Sequence, residues 1–200
     1  MKGSLIILSF FIAGALAGYT GILPEVILQN DFSVYVLYVL MFLVGINIGY
    51  DSQTLASLKI NKFRIMLVPL ATLAGTLIGS ALTGLLIPRW TIFECMAVGS
   101  GFGYYSLSSI FITQYKGAEL GTIALVSNII RELFTLLAAP LLVACFGKLA
   151  PVCSGGATTM DTTLPVISRY SGSEFVIIAI FHGITLDLLV PFLVTFFCYL

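Results

Sequence analysis

Asn128, Arg131 and Glu132 lie in the middle of a long apolar segment, residues 117–146. On an α-helix their spacing of i, i+3 and i+4 places all three on one face. Because consecutive helical residues point about 100° apart, Arg131 and Glu132 are poorly placed to neutralise each other. We therefore predict that Arg131 pairs elsewhere and that Glu132 is available to bind a cation or a proton. The alternative is an internal ion pair that only holds helices together.

A second carboxylate, Asp161, lies in a segment that reads S-G-G-A-T-T-M-D-T-T-L-P from residue 154. A carboxylate beside unwound backbone, with hydroxyls around it, can bind a substrate ammonium group or exchange a proton. The alternative is that Asp161 only caps the helix that follows it. Both roles can coexist, so we expect Asp161 to share a substrate or proton site with Glu132.

His182 and Asp187 lie five positions apart in the last apolar segment. We expect His182 to be a hydrogen-bonded packing residue that supports the site rather than a proton relay. Asp187 needs a partner if it lies inside a membrane, and Arg131 is the natural candidate. The residues predicted to bind substrate or protons are Ser106, Asn128, Arg131, Glu132, Asp161 and Thr162, with His182 and Asp187 in support.

The composition places these residues in a membrane protein. Of the 200 residues, 59% are hydrophobic and only 9% are charged, with a mean hydropathy of +1.10, whereas soluble domains contain about 25% charged residues. Nine basic residues balance nine acidic ones, so no basic surplus indicates a nucleic-acid partner. The four cysteines form no C-x-x-C or Cys/His pair, and we predict neither a metal site nor a cofactor.

Five continuous segments are long enough, at about 20 apolar residues, to be read as membrane spans. They are residues 4–23, 34–50, 63–87, 117–146 and 174–200. Two further segments, residues 92–115 and 149–168, are crowded with Gly, Ser and Thr. The sequence therefore predicts a single all-α membrane domain, residues 1–200, with about five transmembrane helices and two re-entrant or broken segments. The first span resembles a signal peptide, but we expect an uncleaved anchor because apolar sequence soon resumes.

The two broken segments carry glycines at their centres that we expect to support the site, namely Gly101, Gly103, Gly155 and Gly156. Irregular backbone persists at membrane depth only inside protein or beside a wet cavity, because lipid offers no hydrogen-bond partner. Paired interruptions are typical of transporters built as inverted repeats, with the substrate near the midplane. The alternative is that the small residues only allow close helix packing.

A basic loop with Lys59, Lys62 and Arg64 is predicted to face the cytoplasm by the positive-inside rule. Beyond the third span, the broken segments either re-enter from opposite faces or cross fully. The charge bias is the same in both topologies. We prefer re-entrant hairpins because they match an inverted repeat.

Four strings of the sequence resemble the LysO family of lysine exporters. They are G-F-G-Y-Y-S-L-S-S (101–109), G-A-E-L-G-T-I-A-L-V-S-N-I-I-R-E-L (117–133), S-G-G-A-T-T-M-D-T-T-L-P-V-I-S-R-Y-S-G (154–172) and F-H-G-I-T-L-D-L-L-V-P-F-L-V (181–194). The resemblance extends over residues 4–200 and is most specific from Gly99 onward.

This resemblance implies a transporter, not an enzyme, that exports L-lysine and analogues such as thialysine across the prokaryotic inner membrane. It implies that Glu132 and Asp161 are the critical acids and that export is antiport with protons, or with sodium. Some family members are longer, with further N-terminal spans, and others are split into a small and a larger subunit. The chain resembles the larger subunit, which predicts a small membrane partner or a homodimer.

Three alternative functions share some of these features. An exporter of another cationic or small amino acid would use the same acids, because no residue separates lysine from ornithine or arginine. An intramembrane aspartyl protease also needs two carboxylates, but the Tyr50-Asp51 pair is not followed by a G-x-G-D motif. A purely structural membrane subunit would not require charges in broken segments.

Overall fold

The computed structural model describes residues 62–200 continuously, together with residues 9, 12–14, 16–21, 24 and 46. Within the predicted first span, the described residues up to residue 19 are helical. The predicted second span, apart from Ile46, lies outside the described residues. So do Lys59 and the side chains of Lys62 and Arg64.

The described part of the chain is helical, with short turns between helices and no β-strand. In chain order the helices are α1 (Lys62–Leu86), α2 (Ile92–Gly99), α3 (Tyr105–Lys116), α4 (Ala118–Phe146), α5 (Ala150–Gly155), α6 (Leu164–Ser171) and α7 (Val176–Tyr199), with 3₁₀ turns at Gly156–Met160 and Ser173–Phe175. Segments long and apolar enough to cross a membrane are Ile65–Leu86, Ala118–Phe146 and Ser173–Tyr199. For the part of the chain that the structure describes, the prediction of an all-α fold with long apolar helices is therefore confirmed, and the number of spans stays a prediction.

The outer faces of the long helices are apolar. Side chains that are more than half exposed include Leu82 on α1, Phe134 on α4, and Leu188 and Phe192 on α7. So large an exposed apolar surface is unusual for a protein in water. It is the surface that the hydrocarbon core of a bilayer solvates.

Each predicted broken segment forms two short helices with irregular backbone between them. A turn separates α2 from α3, and in it Phe102 and Gly103 have φ angles of 46° and 93°. The 3₁₀ turn that follows α5 begins at Gly156 with a φ angle of 65°. Helix α2 starts with a capping box, in which Thr91 and Glu94 satisfy each other's backbone N–H groups.

The two breaks are in direct contact, and we call the contact between residues 101–104 and 155–158 the crossing. The N–H of Ala157 donates to the carbonyl of Phe102 at 2.8 Å. A Cβ on Gly156 would overlap that carbonyl, and a Cβ on Gly103 would lie 3.1 Å from the Gly155 carbonyl. Glycine is needed here because the two backbones approach too closely for a side chain.

Two exposed ion pairs join the ends of the broken segments. Arg89, before α2, pairs with Glu119, just after α3. Lys148, before α5, pairs with Glu174, just after α6, at 3.0 Å. Both ends of α2–α3 therefore lie at the N-terminal end of α4, and both ends of α5–α6 lie at its C-terminal end. The two pairs of short helices reach the crossing from opposite directions.

Two apolar clusters flank the crossing. The first combines Phe102 and Ala157 of the crossing with side chains from α2, α3, α4 and α7. The second joins α5 and α6 to α1 and to the start of α7. Since α7 contributes to both clusters, it packs against both broken segments and encloses the crossing together with α4.

Replacing Gly156 by alanine should destabilise the crossing, because the new Cβ overlaps the Phe102 carbonyl. Overpacking of this kind costs about 1–3 kcal/mol. Gly147→Ala is the matched control, since Gly147 also has a positive φ of 87° but no atom within 4 Å of its Cβ position. Unfolding in detergent should show the larger loss for Gly156→Ala, and equal losses would contradict the contact.

Cysteines introduced as Arg89→Cys with Glu119→Cys should be linked within one chain by a short bis-maleimide reagent, because the tips of the native side chains form an ion pair. The pair Lys148→Cys with Glu174→Cys should do the same. The mixed pair Arg89→Cys with Glu174→Cys should not, because α4 has 29 residues and so separates the two ends by about 43 Å. Mass spectrometry of the linked peptides reads the result, and a mixed cross-link within one chain would refute the arrangement.

Candidate functional site

Asn128 connects α4 to the first break through hydrogen bonds, and it is only 2% exposed. Its Oδ1 accepts from the N–H of Gly103 at 2.8 Å. Its Nδ2 donates to the carbonyls of Val98 at 3.2 Å and Ala124 at 2.9 Å. A Cβ on Gly101 would lie 2.5 Å from that nitrogen, which explains the glycine predicted to support the site. Both amide hydrogens of Asn128 bind backbone, so its predicted contact with substrate stays a prediction.

Arg131 connects α4 to the second break through hydrogen bonds. Its Nε donates to the carbonyl of Ser154 at 2.9 Å, and an Nη donates to the carbonyl of Cys153 at 3.2 Å. The other Nη donates to the Thr76 hydroxyl at 3.3 Å. The last carbonyls of a helix have no partner within it and carry partial negative charge. Arg131 therefore caps the C-terminal end of α5.

The predicted ion pair between Arg131 and Asp187 is wrong. The ion pairs among the described residues are the two at the ends of the broken segments, and neither contains Arg131 or Asp187. Arg131 binds carbonyls instead, because the end of α5 lies against this face of α4. One carboxylate oxygen of Asp187 is buried without a hydrogen-bond partner in the described part of the chain.

Glu132 and Asp161 lie near each other at the second break with Thr162 between them, an arrangement that we call the Thr162 bridge. The Thr162 side chain lies close enough to the Glu132 carboxyl group to interact with it. Thr162 also donates to Asp161 Oδ1, from its N–H at 2.5 Å and from its hydroxyl at 3.3 Å. Asp187 lies close enough to Asp161 to interact with it through its charge. Tyr105 lies close enough to interact with both Glu132 and Asp161. Side chains from α3, α4, α7 and the second break therefore converge here.

The Thr162 bridge favours one proton or one bound cation between its two acids. A threonine hydroxyl has one hydrogen, which it donates to one carboxylate at a time. Two charged carboxylates repel each other, and either a proton or a bound cation relieves the repulsion. This arrangement can exchange a proton for a cationic group.

The remaining predicted residues lie at the edges of this site. Ser106 is exposed at the start of α3, next to Tyr105, and no hydrogen bond among the described residues joins its hydroxyl to the acids. His182 is fully buried. Its ring nitrogens contact the hydroxyls of Thr159 at 3.2 Å and Thr72 at 2.9 Å, so it is buried and hydrogen-bonded, and its supporting role stays a prediction. Gly155 has no room for a side chain beside Thr159.

Sequence reasoning missed the hydroxyls of α1 and the phenol of Tyr105. Thr72 contacts His182, and Thr76 accepts from Arg131. Thr72, Thr76 and Ser80 repeat at i, i+4 and i+8, which places them on one face of an apolar helix. That spacing is the signal that could have identified a polar face of α1 directed at the site.

Two cavities lie beside α1. The larger, of about 390 Å³, lies between α1, α2 and α4 and has Thr76, Asn128 and Arg131 in its wall. The smaller, of about 310 Å³, lies between α1 and the end of α5, with Thr72 and Ser154 in its wall. No carboxylate lines either cavity among the described residues. The cavities and the bridged acids are therefore separate parts of the region around α4.

Replacing Arg131 by glutamine should loosen the end of α5, because two carbonyls lose a charged donor. Such a hydrogen bond contributes about 1.5–3 kcal/mol, so opening should become about tenfold or more frequent. The rate at which N-ethylmaleimide labels Cys153 should rise by that factor. Arg89→Gln, which removes an exposed ion pair, is the control and should leave the rate unchanged. Equal rates for Arg131→Gln and the unaltered protein would disprove the capping role.

Comparison with known proteins identifies the family. The family model described as "Lysine exporter LysO" matches residues 8–198. The "Lysine exporter LysO" of Escherichia coli (strain K12) is 38% identical over 169 residues, which cover 84% of this chain and 55% of that relative. A "Putative lysine exporter" of Haemophilus influenzae is 36% identical over 168 residues, which cover 84% of this chain and 85% of that relative. No solved structure matches the chain.

The chain thus spans about half the length of the Escherichia coli relative and most of the Haemophilus influenzae one. The family consists of transporters rather than enzymes. The resemblance drawn from four strings of sequence is confirmed over nearly the whole chain, which belongs to the LysO family of lysine exporters.

Proposed function

We propose that this chain is the core of a secondary transporter in the prokaryotic cytoplasmic membrane that exports L-lysine. Glu132 and Asp161 bind the substrate and the coupling proton in turn. Both named relatives are described as lysine exporters, one of them putatively. The observation that carries the proposal is the Thr162 bridge, which brings two carboxylates from different elements together beside broken backbone.

The charge pattern of lysine fits this region. Lysine has two ammonium groups and one carboxylate, and the bridged acids complement an ammonium group. Asp187 adds a third acid with a buried, unpartnered oxygen in the described part of the chain, which suits a second ammonium group. Thialysine has the same charged groups and is included in the proposal. Ornithine and arginine share the pattern, so transport assays need them as competitors.

The proposed cycle is an antiport of lysine against protons. Lysine enters from the cytoplasm, and its ammonium group relieves the repulsion between Glu132 and Asp161. A proton from outside then neutralises one of the acids and weakens the hold on lysine, which leaves outward. Release of the proton to the cytoplasm restores the empty pair. Sodium is the alternative coupling ion, and an imposed sodium gradient tests it directly.

We further propose that α2–α3 and α5–α6 are re-entrant hairpins that enter from opposite faces, as in an inverted repeat. The two ion pairs at their ends support this topology. Helix α2 has 8 residues and is about 12 Å long, less than half of the roughly 30 Å hydrocarbon core. The crossing would then lie near the middle of the membrane.

We also propose that a further polypeptide chain supplies additional membrane spans. The matched region covers 55% of the Escherichia coli relative but 85% of the Haemophilus influenzae one, so members of the family differ in how much sequence surrounds it. A small membrane subunit or a second copy of this chain would supply additional helices. Counterflow measured with and without such a subunit tests this part separately.

Replacing Glu132 by glutamine should abolish the exchange of lysine, because the bridged pair loses one of its two charges. Loss of a hydrogen bond to a charged group corresponds to about tenfold to hundredfold in binding, and the loss of proton exchange adds to it. The measurement is lysine counterflow in proteoliposomes with an imposed pH gradient.

Glu119→Gln is the matched control, since Glu119 lies on the same helix but is exposed and pairs with Arg89. It should leave counterflow unchanged. Normal counterflow by Glu132→Gln would remove Glu132 from the mechanism. Absence of lysine counterflow in the unaltered protein, with or without added subunit, would favour a non-transporting structural role.

A further inference from the structure

We infer that the larger cavity is a binding site for a carboxylate group, and that this carboxylate belongs to the amino acid being transported. The inference rests on the proposed function. The carboxylate is the one charged group of the substrate that Glu132 and Asp161 cannot bind, since like charges repel. The cavity would bind this group.

The wall of the cavity carries positive charge and no negative charge. Arg131 is the one charged side chain among the described residues that line it. No ion pair of the described residues neutralises its guanidinium group, because its acceptors are two carbonyls and a hydroxyl. A charge removed from water is costly unless it is paired. An anion that enters the cavity would supply the missing countercharge.

Arg131 also keeps donors for that anion. A guanidinium group has five N–H bonds. Its hydrogen bonds to Ser154, Thr76 and Cys153 use one hydrogen on each of its three nitrogens. One hydrogen on each Nη is left without an acceptor in the described part of the chain. Paired guanidinium N–H groups match the two oxygens of a carboxylate.

The rest of the cavity suits an aliphatic amino acid. Its volume of about 390 Å³ falls within the roughly 300–1,000 Å³ of small-ligand sites. Hydroxyls of Ser80 and Ser127 line it together with Leu120 and Ile123, so polar groups and apolar walls for methylene groups are both present. Arg131 and Glu132 are consecutive on α4 and point about 100° apart, so a carboxylate on Arg131 and an ammonium group on Glu132 would lie on neighbouring faces of the same helical turn.

Cys95 provides a direct test because it lines the cavity. In the detergent-solubilised protein, lysine should slow the labelling of Cys95 by N-ethylmaleimide several-fold. Labelling of Cys145, which is exposed near the other end of α4, should stay the same. Cadaverine has both ammonium groups of lysine but no carboxylate, and should not protect Cys95. Equal protection by cadaverine, or none by lysine, overturns the inference.

A second test fills the cavity without touching Arg131 or the acids. Thr83 lines the cavity from an exposed position on α1, so Thr83→Trp should reduce lysine counterflow by about tenfold, which corresponds to about 1.4 kcal/mol. Leu82→Trp is the matched control, because Leu82 is the neighbouring exposed residue and lies outside the lining.

The two tests separate this inference from the proposed function. No lysine counterflow in the unaltered protein contradicts the proposed function. Lysine counterflow that persists in Thr83→Trp, or counterflow of cadaverine as fast as that of lysine, contradicts the carboxylate site alone. Loss of counterflow in Thr83→Trp with normal counterflow in Leu82→Trp supports it.

Discussion

The hydrogen bond from the Ala157 N–H to the Phe102 carbonyl joins two stretches of broken backbone, and the surrounding structure maintains that contact. Inside a membrane, broken backbone has to find its hydrogen bonds within the protein. Asn128 and Arg131, one turn apart on α4, supply them to the first and the second break. Glycines at the crossing let the two chains approach, and α7 encloses them from the other side. Helix α4 therefore stabilises both broken segments.

This use of Arg131 determines the electrostatics of the site. Because its guanidinium group binds carbonyls, the acids near the second break have no basic partner among the described residues. The same guanidinium group faces a cavity without acids. Charges held apart in this way cost stability, and within membranes such charges are typical of functional positions. A site with separate acidic and basic parts matches a substrate that carries both kinds of charge.

Local rules were sufficient for much of this structure. Lengths of apolar sequence predicted the long helices at residues 63–87, 117–146 and 174–200, because crossing hydrocarbon requires about 20 residues. Glycine strings predicted the breaks, since close backbone contact excludes side chains. Helical geometry alone predicted that Arg131 and Glu132 would not neutralise each other. The pairing of Arg131 with Asp187 was predicted wrongly because every residue has a backbone carbonyl. The sequence therefore cannot show which carbonyls Arg131 will bind.

By itself, the sequence determined that the chain is a membrane protein, where its helices break, and which charged residues lie inside its apolar segments. These follow from composition and periodicity, whereas the family was indicated by the resemblance of four strings. Only the tertiary structure decided which groups meet. The Thr162 bridge joins α4 to the second break, Thr76 of α1 reaches Arg131 across 55 positions, and the acids lie apart from the cavity. Contacts between distant segments depend on how helices pack, and the choice of a partner such as a carbonyl is made by position rather than by residue type.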